Sequence, residues 1–370
     1  MGVTWLAEAA LDVSALDATK WLQDVRPHVL EFFADGVYGR LPPIPAKLAF
    51  ELVEKGEAFD GLAYRRQYVV HAADTRGGID FNVLVYLPMG REKTSIPAFV
   101  YPNFCGNWTL VDDPQVLPYK GFQYPGGRQY GRGSRPDRVC LKEILRRGYA
   151  FATFCFNEVY PDDVKRDTAA ESVWRIFDPA DLPEENLAHP AWTWGSMRVR
   201  DLLERLPEIA QDKVAIVGQS RMGKNAINTG VLDPRFALTC ANCGGTKSLR
   251  HLPNLMYPQW FSKRLTKYVQ TNQTGLSVEE LERRAARFPR PPFDQSAYIA
   301  CIAPRAMVIS QATGDTFSRP EGSRALLDEA DPVFRLFGKT IGWHLKEGKH
   351  SITHEDWRWF MDYAEKQLGW

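Results

Sequence analysis

Cysteine is scarce in this 370-residue chain: Cys105, Cys140, Cys155, Cys240, Cys243 and Cys301 are all there are. Most lie in apolar, strand-like stretches, so buried free thiols are expected and a disulfide framework is not. Cys240 and Cys243 form a single C-x-x-C with no second pair and no nearby histidine cluster, so no metal site is expected. No apolar run approaches the ~18 residues of a membrane helix. The first ten residues lack a basic start and a long apolar stretch, so they do not read as a signal peptide. The expected location is the cytoplasm, or outside it for an exported form whose signal has been removed. Charge of one sign is also missing. Forty-six Lys and Arg against forty-five Asp and Glu leave +1, which gives no reason to expect nucleic acid or an anionic membrane as partner. Internal repeats, low-complexity tracts and flexible linkers are absent too, and a monomer without a cofactor is expected.

Aromatic residues, by contrast, are plentiful: eleven Trp, fourteen Tyr and twenty Phe. Many belong in a core, and a surplus of Trp also suits stacking on sugar rings. Along the chain, residues 17–40 read as helical and 64–71 and 81–87 as an antiparallel strand pair. Further strands are expected at 97–101, 149–156, 214–217, 237–241, 306–311 and 340–345. Helices fall between them at 139–147, 190–206, 224 onward, 321–329 and 355–368. Strands alternating with helices predict a mostly parallel sheet covered on both faces, a three-layer α/β/α sandwich. The reading is one domain over 1–370, with an N-terminal helical extension over about 1–60. Insertions are expected over about 113–138, 157–189 and 246–297.

Residues 214–227 carry the chemistry, and they fit two motifs. Gly218, Gly223 and Lys224 satisfy a phosphate-binding loop, G-x-x-x-x-G-K-[ST], up to its last position. That position is Asn225, an amide where magnesium needs a hydroxyl. The alternative is a nucleophile elbow, with Ser220 on a sharp turn between strand and helix. Here the second glycine falls three residues after the serine instead of two. The rest of the chain favours the elbow. An α/β-hydrolase orders its triad as Ser, then Asp or Glu, then His, each at a strand end. Ser220 follows the 214–217 strand, Asp315 the 306–311 strand and His350 the 340–345 strand. His344 and His354 compete with His350, but one lies within a strand and the other at a helix start. His28, His71, His189 and His251 are too scattered to suggest a metal triad.

That arrangement predicts attack by Ser220 on an ester carbonyl, with His350 as base and Asp315 fixing its tautomer. Arg221, directly after the nucleophile, is expected to help hold the oxyanion. The loop Asn103-Phe104-Cys105-Gly106-Asn107 is a second candidate donor.

These residues resemble the glucuronoyl esterases of carbohydrate esterase family 15, above all their bacterial branch, within the α/β-hydrolase superfamily. The elbow Gly218, Ser220, Arg221, Gly223 and Lys224 carries the resemblance, as do the 103–107 loop and Asp112-Asp113-Pro114. It continues through Gly133-Ser134-Arg135, residues 233–237, residues 302–305 and Gly348-Lys349-His350 before Thr353. The resemblance implies a serine hydrolase of uronic-acid esters in plant or algal polysaccharides. It further implies that Arg221 assists the oxyanion and Lys224 hydrogen-bonds uronate hydroxyls. Four positions depart from the pattern. Many members place a catalytic Glu where Cys243 stands, whereas bacterial ones often use an acid matching Asp315. A sugar-packing Trp is replaced by Phe317. The fungal disulfide positions are Gln219 and Ser351. The uronate methylesterases of carbohydrate esterase family 19 look similar at this level. Lys224, Trp260, Phe261 and Phe317 favour a sugar on the acyl side of the ester. An acetyl xylan esterase on the same fold is the alternative, with a phosphate-loop nucleotide binder more distant. A non-catalytic sugar-binding protein would be expected to have lost part of the triad.

Overall fold

The computed structural model describes residues 16–90, 95–122, 130–163, 166–244, 259–262, 265 and 293–370. Its centre is a nine-stranded sheet in the order β1-β2-β3-β5-β4-β6-β7-β8-β9. The strands are β1 (Lys47–Ala58), β2 (Ala63–Asp74), β3 (Gly77–Pro88), β4 (Ile96–Asn103) and β5 (Ala150–Cys155), then β6 (Ile209–Gln219), β7 (Leu238–Asn242), β8 (Ala306–Ala312) and β9 (Gly342–Lys346). β1 to β3 form an antiparallel meander, β3 pairs antiparallel with β5, and every remaining pair is parallel.

Strand residues point alternately to opposite faces, and both faces here are covered. From β4, Ala98 and Val100 enter one core while Phe99 and Tyr101 enter the other; β6 divides Val214 and Ile216 from Ala215 and Val217 in the same way. Burial on both sides is why these strands read as unbroken apolar runs. The first face is covered by α1 (Arg26–Gly36), α3 (Ala188–Glu204), α4 (Arg221–Leu232), α5 (Gln295–Ala300) and α6 (Pro320–Arg335). The second is covered by α2 (Leu141–Arg146) and α7 (His354–Leu368). This is the three-layer α/β-hydrolase architecture expected from the alternation of elements.

The aromatic surplus goes mainly into these cores. Trp21, Trp174, Trp192, Trp194 and Trp357 are among the largest fully buried side chains. Trp357 of α7 meets Phe99, Tyr101 and Phe151 at ring-centre distances of 5.5–5.9 Å, near the range where edge-to-face pairs are favourable. All six cysteines are buried free thiols.

The N-terminal extension is helical only as far as Gly36; Lys47–Ala58 is the edge strand β1. Its Ala, Glu, Leu and Lys favour helix intrinsically, but pairing along β2 overrides that preference. Of the stretch over 157–189, the described residues as far as 187 form irregular chain and short 3-10 turns at Phe156–Glu158, Ala169–Glu171, Val173–Ile176 and Pro179–Asp181, and the last two residues open α3. Most of the 246–297 insertion and part of 113–138 fall outside the described residues. Among the described residues, no helix is long and apolar enough to cross a membrane.

Candidate active site

β6 ends on Gln219 and α4 begins on Arg221, leaving Ser220 alone in the turn at φ 61° and ψ −124°. A non-glycine residue at positive φ is strained, and the surroundings enforce it. The carbonyl of Asn242, at the end of β7, accepts the Ser220 N–H at 2.9 Å. A Cβ on Gly218 would lie 1.8 Å from the carbonyl oxygen of Met222, and one on Gly223 would lie 2.8 Å from that of Asn242. The second glycine falls late because it is the third residue after the serine that grazes β7.

The same geometry removes the phosphate-loop reading. A one-residue turn offers no ring of backbone N–H groups for a phosphate. Asn225 turns instead toward α3, donating to His189 O at 3.1 Å and Thr193 Oγ1 at 2.8 Å.

Ser220, His350 and Asp315 meet. The hydroxyl of Ser220 lies 2.7 Å from His350 Nε2, and His350 Nδ1 lies 2.8 Å from Asp315 Oδ2. An ionised carboxylate only accepts, so Nδ1 carries the proton and Nε2 is left to accept from the serine. Burial pushes the Asp315 carboxyl up. Bonds from His350, the Ser318 N–H and the Cys243 thiol outweigh it and hold the group well below the usual carboxylate range. The other oxygen, Oδ1, accepts from the backbone of Phe317 and Ser318, each at 3.0 Å.

The loops carrying acid and histidine are stitched together. Thr313 N–H donates to Lys346 O at 2.9 Å and Gly314 N–H to Gly348 O at 2.8 Å. Beneath them the buried ammonium of Lys346 pairs with Asp356 and donates to Ser351 O at 2.8 Å. The two competing histidines lie elsewhere. His344 faces Glu355 at 3.1 Å and stacks on Trp359, and His354 bonds Pro136 O at 3.0 Å.

Arg221, next to the nucleophile, is held by partners from distant segments. Its guanidinium pairs with the fully buried carboxylate of Asp162 and lies 4.7 Å from the ring centre of Trp260. Asp162 also accepts the Trp260 indole N–H at 2.9 Å. Trp260 is therefore a support for Arg221; at 6% exposure it is no platform for a sugar. Phe261 is buried likewise, against Tyr38 and His189. Sequence reasoning missed Asp162. It comes from an irregular stretch without periodicity, and only the preceding strand end hinted at the site.

Lys224 stands one helical turn after the nucleophile, its N–H bonded to Ser220 O at 3.1 Å. Its charge reaches His189, whose basicity falls first through complete burial and then through Lys224 and Arg221. Phe317 is 69% exposed and its ring centre lies 5.5 Å from that of His350, so it forms an aromatic rim. The 103–107 loop is less open as a donor than expected. Asn103 Oδ1 takes the N–H of Gly106 at 2.8 Å and of Cys105 at 3.3 Å.

The chain as a whole is similar to several known proteins. A family model described as "Glucuronyl esterase, fungi" matches residues 137–338. Carbohydrate esterase MZ0003, from an unknown prokaryotic organism, is 27% identical over 95% of this chain and 86% of its own length. The 4-O-methyl-glucuronoyl methylesterase 1 of Phanerochaete chrysosporium is 30% identical over 41% of this chain, which is 33% of the fungal protein. Among solved structures, a glucuronoyl esterase from Solibacter usitatus superposes with a TM-score of 0.81 at 27% identity, covering 99% of this chain and 98% of that one. A promiscuous CE15 esterase from a marine bacterial metagenome gives 0.79 at 26% identity, over 95% and 93% of the two chains.

Proposed function

The chain belongs to the glucuronoyl esterase family, and from that membership we propose that it cleaves esters of uronic acids by an acyl-enzyme route through Ser220. The observation that carries this reading is the relay of Ser220 Oγ, His350 and Asp315, at 2.7 and 2.8 Å.

Ser220 attacks the ester carbonyl as His350 Nε2 takes its proton. The negative charge that builds on the carbonyl oxygen meets the N-terminus of α4 and the guanidinium of Arg221. One such donor is worth about 3–4 kcal/mol in well-formed sites. His350 then returns the proton to the departing alcohol, and water repeats the sequence on the acyl-enzyme. Asp315 keeps the proton on Nδ1 and stabilises the imidazolium. On the acyl side the uronate ring lies between Lys224, whose ammonium donates to ring hydroxyls, and the exposed face of Phe317. A carboxylate product beside Arg221 and Lys224 is consistent with this polarity.

The test is a substrate panel of methyl glucuronate, benzyl glucuronate, methyl galacturonate and acetylated xylan. Uronate esters are expected to be hydrolysed with a higher kcat/KM than acetyl groups. Preference for acetylated xylan would overturn the uronate reading while leaving the serine mechanism in place.

A further inference from the structure

β7 ends on Asn242, and Cys243 turns the chain at φ 45° with its N–H bonded to Ser310 O at 2.9 Å. The turn brings the Cys243 thiol against the Asp315 carboxylate, toward which it donates. Ser318 locks it there by donating its hydroxyl to Cys243 O at 2.8 Å. A sulfur of Cys243, an oxygen of Asp315 and a ring nitrogen of His350 all lie within 4.8 Å of one another. Any three such atoms share a point no more than about 2.8 Å from each. A cation placed there would need shifts of only about 0.5–0.8 Å to reach zinc–sulfur, zinc–nitrogen and zinc–oxygen distances. Cys243 and Asp315 are buried, whereas the His350 side chain is one-quarter exposed and opens the group to solvent.

We propose that Cys243, Asp315 and His350 form a latent inhibitory site for a thiophilic divalent cation such as zinc. Thiolate, imidazole and carboxylate are the donors that zinc takes, and a water completes the tetrahedron. Harder magnesium and calcium, which seek several oxygens, are excluded.

The proton balance explains why binding silences the enzyme. The cation displaces the thiol proton, which leaves to solvent. It also takes the Nδ1 lone pair, so the ring proton moves through water to Nε2. Nε2–H then faces Ser220 Oγ and has no lone pair to accept the serine proton. The nucleophile and the uronate pocket stay untouched, yet the base is locked in the wrong tautomer. The inhibition rests on His350 being that base; the binding does not.

The experiment therefore separates the two. In the Ser220→Ala protein, zinc is titrated against a chromophoric chelator and cobalt is used as an optical probe. One equivalent of zinc is expected, with the sulfur-to-cobalt charge-transfer band of a thiolate ligand. Adding Cys243→Ala is expected to abolish the band and weaken zinc by at least about 100-fold, more than the loss of an outer-shell partner. Cys243→Ser, closer in volume, serves if the alanine variant does not fold. In the wild type, zinc is expected to stop ester hydrolysis, a chelator to restore it and magnesium to do nothing. Absence of stoichiometric binding, or binding indifferent to position 243 in a folded variant, overturns the site and leaves the catalytic reading standing. Binding without inhibition overturns the silencing, and with it the role of His350 as base.

Discussion

Asp162 and Arg221, 59 residues apart in sequence, form an ion pair whose carboxylate is fully buried and whose guanidinium stays partly open to the site. The same carboxylate holds Trp260 beneath the guanidinium, which leaves the arginine little freedom. Asp162→Asn keeps an oxygen for the indole N–H but sets an amide N–H against the guanidinium, so it removes both the charge and the acceptor that hold Arg221. Its kcat on a methyl uronate is expected to fall about 10²-fold with little change in KM, comparable to losing an oxyanion donor. Breaking a buried pair costs about 3–5 kcal/mol when the survivor is sealed from water. Arg221 retains 22% exposure, so the melting temperature should drop modestly. Steady-state kinetics beside a thermal melt check both halves. An unchanged kcat would remove Arg221 from the transition state.

Ser220→Ala is expected to abolish turnover and keep the fold, since losing one hydroxyl from the elbow opens no core cavity. Asp315→Asn is expected to lose up to ~10⁴ in kcat through the wrong imidazole tautomer. Circular dichroism and ester assays decide this. An Asp315→Asn enzyme within tenfold of wild type would mean that another group orients His350.

Much of this relay is legible in the sequence, for a physical reason. Ser220 and Asp315 each follow a strand buried on both faces, so apolar runs announce where those side chains emerge, whereas His350 follows the half-exposed edge strand β9 and is legible through chain order. The supports are illegible because they arrive from irregular chain. Asp162 and Trp260 are 98 residues apart and share no period. Trp260 looks like a sugar platform by composition, and only its burial shows otherwise. Cys243 reads as a core thiol until its positive φ turns it toward Asp315. β1 is hidden by its helix-forming composition and by its position at the sheet edge, where few residues are buried.

Glu158 gives a pH signature. Burial raises its carboxyl to about 7, against hydrogen bonds from the side chain and backbone of Asn82 that pull it down. An unfolded glutamate titrates near 4.3, so the folded state binds the proton more tightly. The stability it contributes is complete below about pH 4 and is lost as pH rises through about 7. Some contact with solvent limits the size of the effect but not its sign. Glu158→Gln is expected to flatten this slope, with its advantage in melting temperature over wild type growing from pH 5 to pH 8. An advantage that is constant with pH would contradict the shift.

Lys224→Ala is expected to weaken kcat/KM on methyl uronates by about 1–3 kcal/mol, the range for a polar contact left unmade. It should scarcely alter hydrolysis of nitrophenyl acetate, which has no ring hydroxyls to bind. Parallel kinetics on the two substrates check this. Equal losses would assign Lys224 a general electrostatic or structural role.

β9 lies at the open end of the sheet, five residues long, half-exposed along most of its length and paired only with β8. The histidine of the relay hangs from the loop that follows it. Edge elements with few buried contacts open more cheaply than the centre of a domain. In rising denaturant, catalysis should therefore fade while the far-ultraviolet signal of the sheet is still intact. Partial fraying there would return a folded but idle molecule to work once conditions ease. The range over which the enzyme works is therefore expected to be narrower than the range over which it is folded, with the last strand setting the difference.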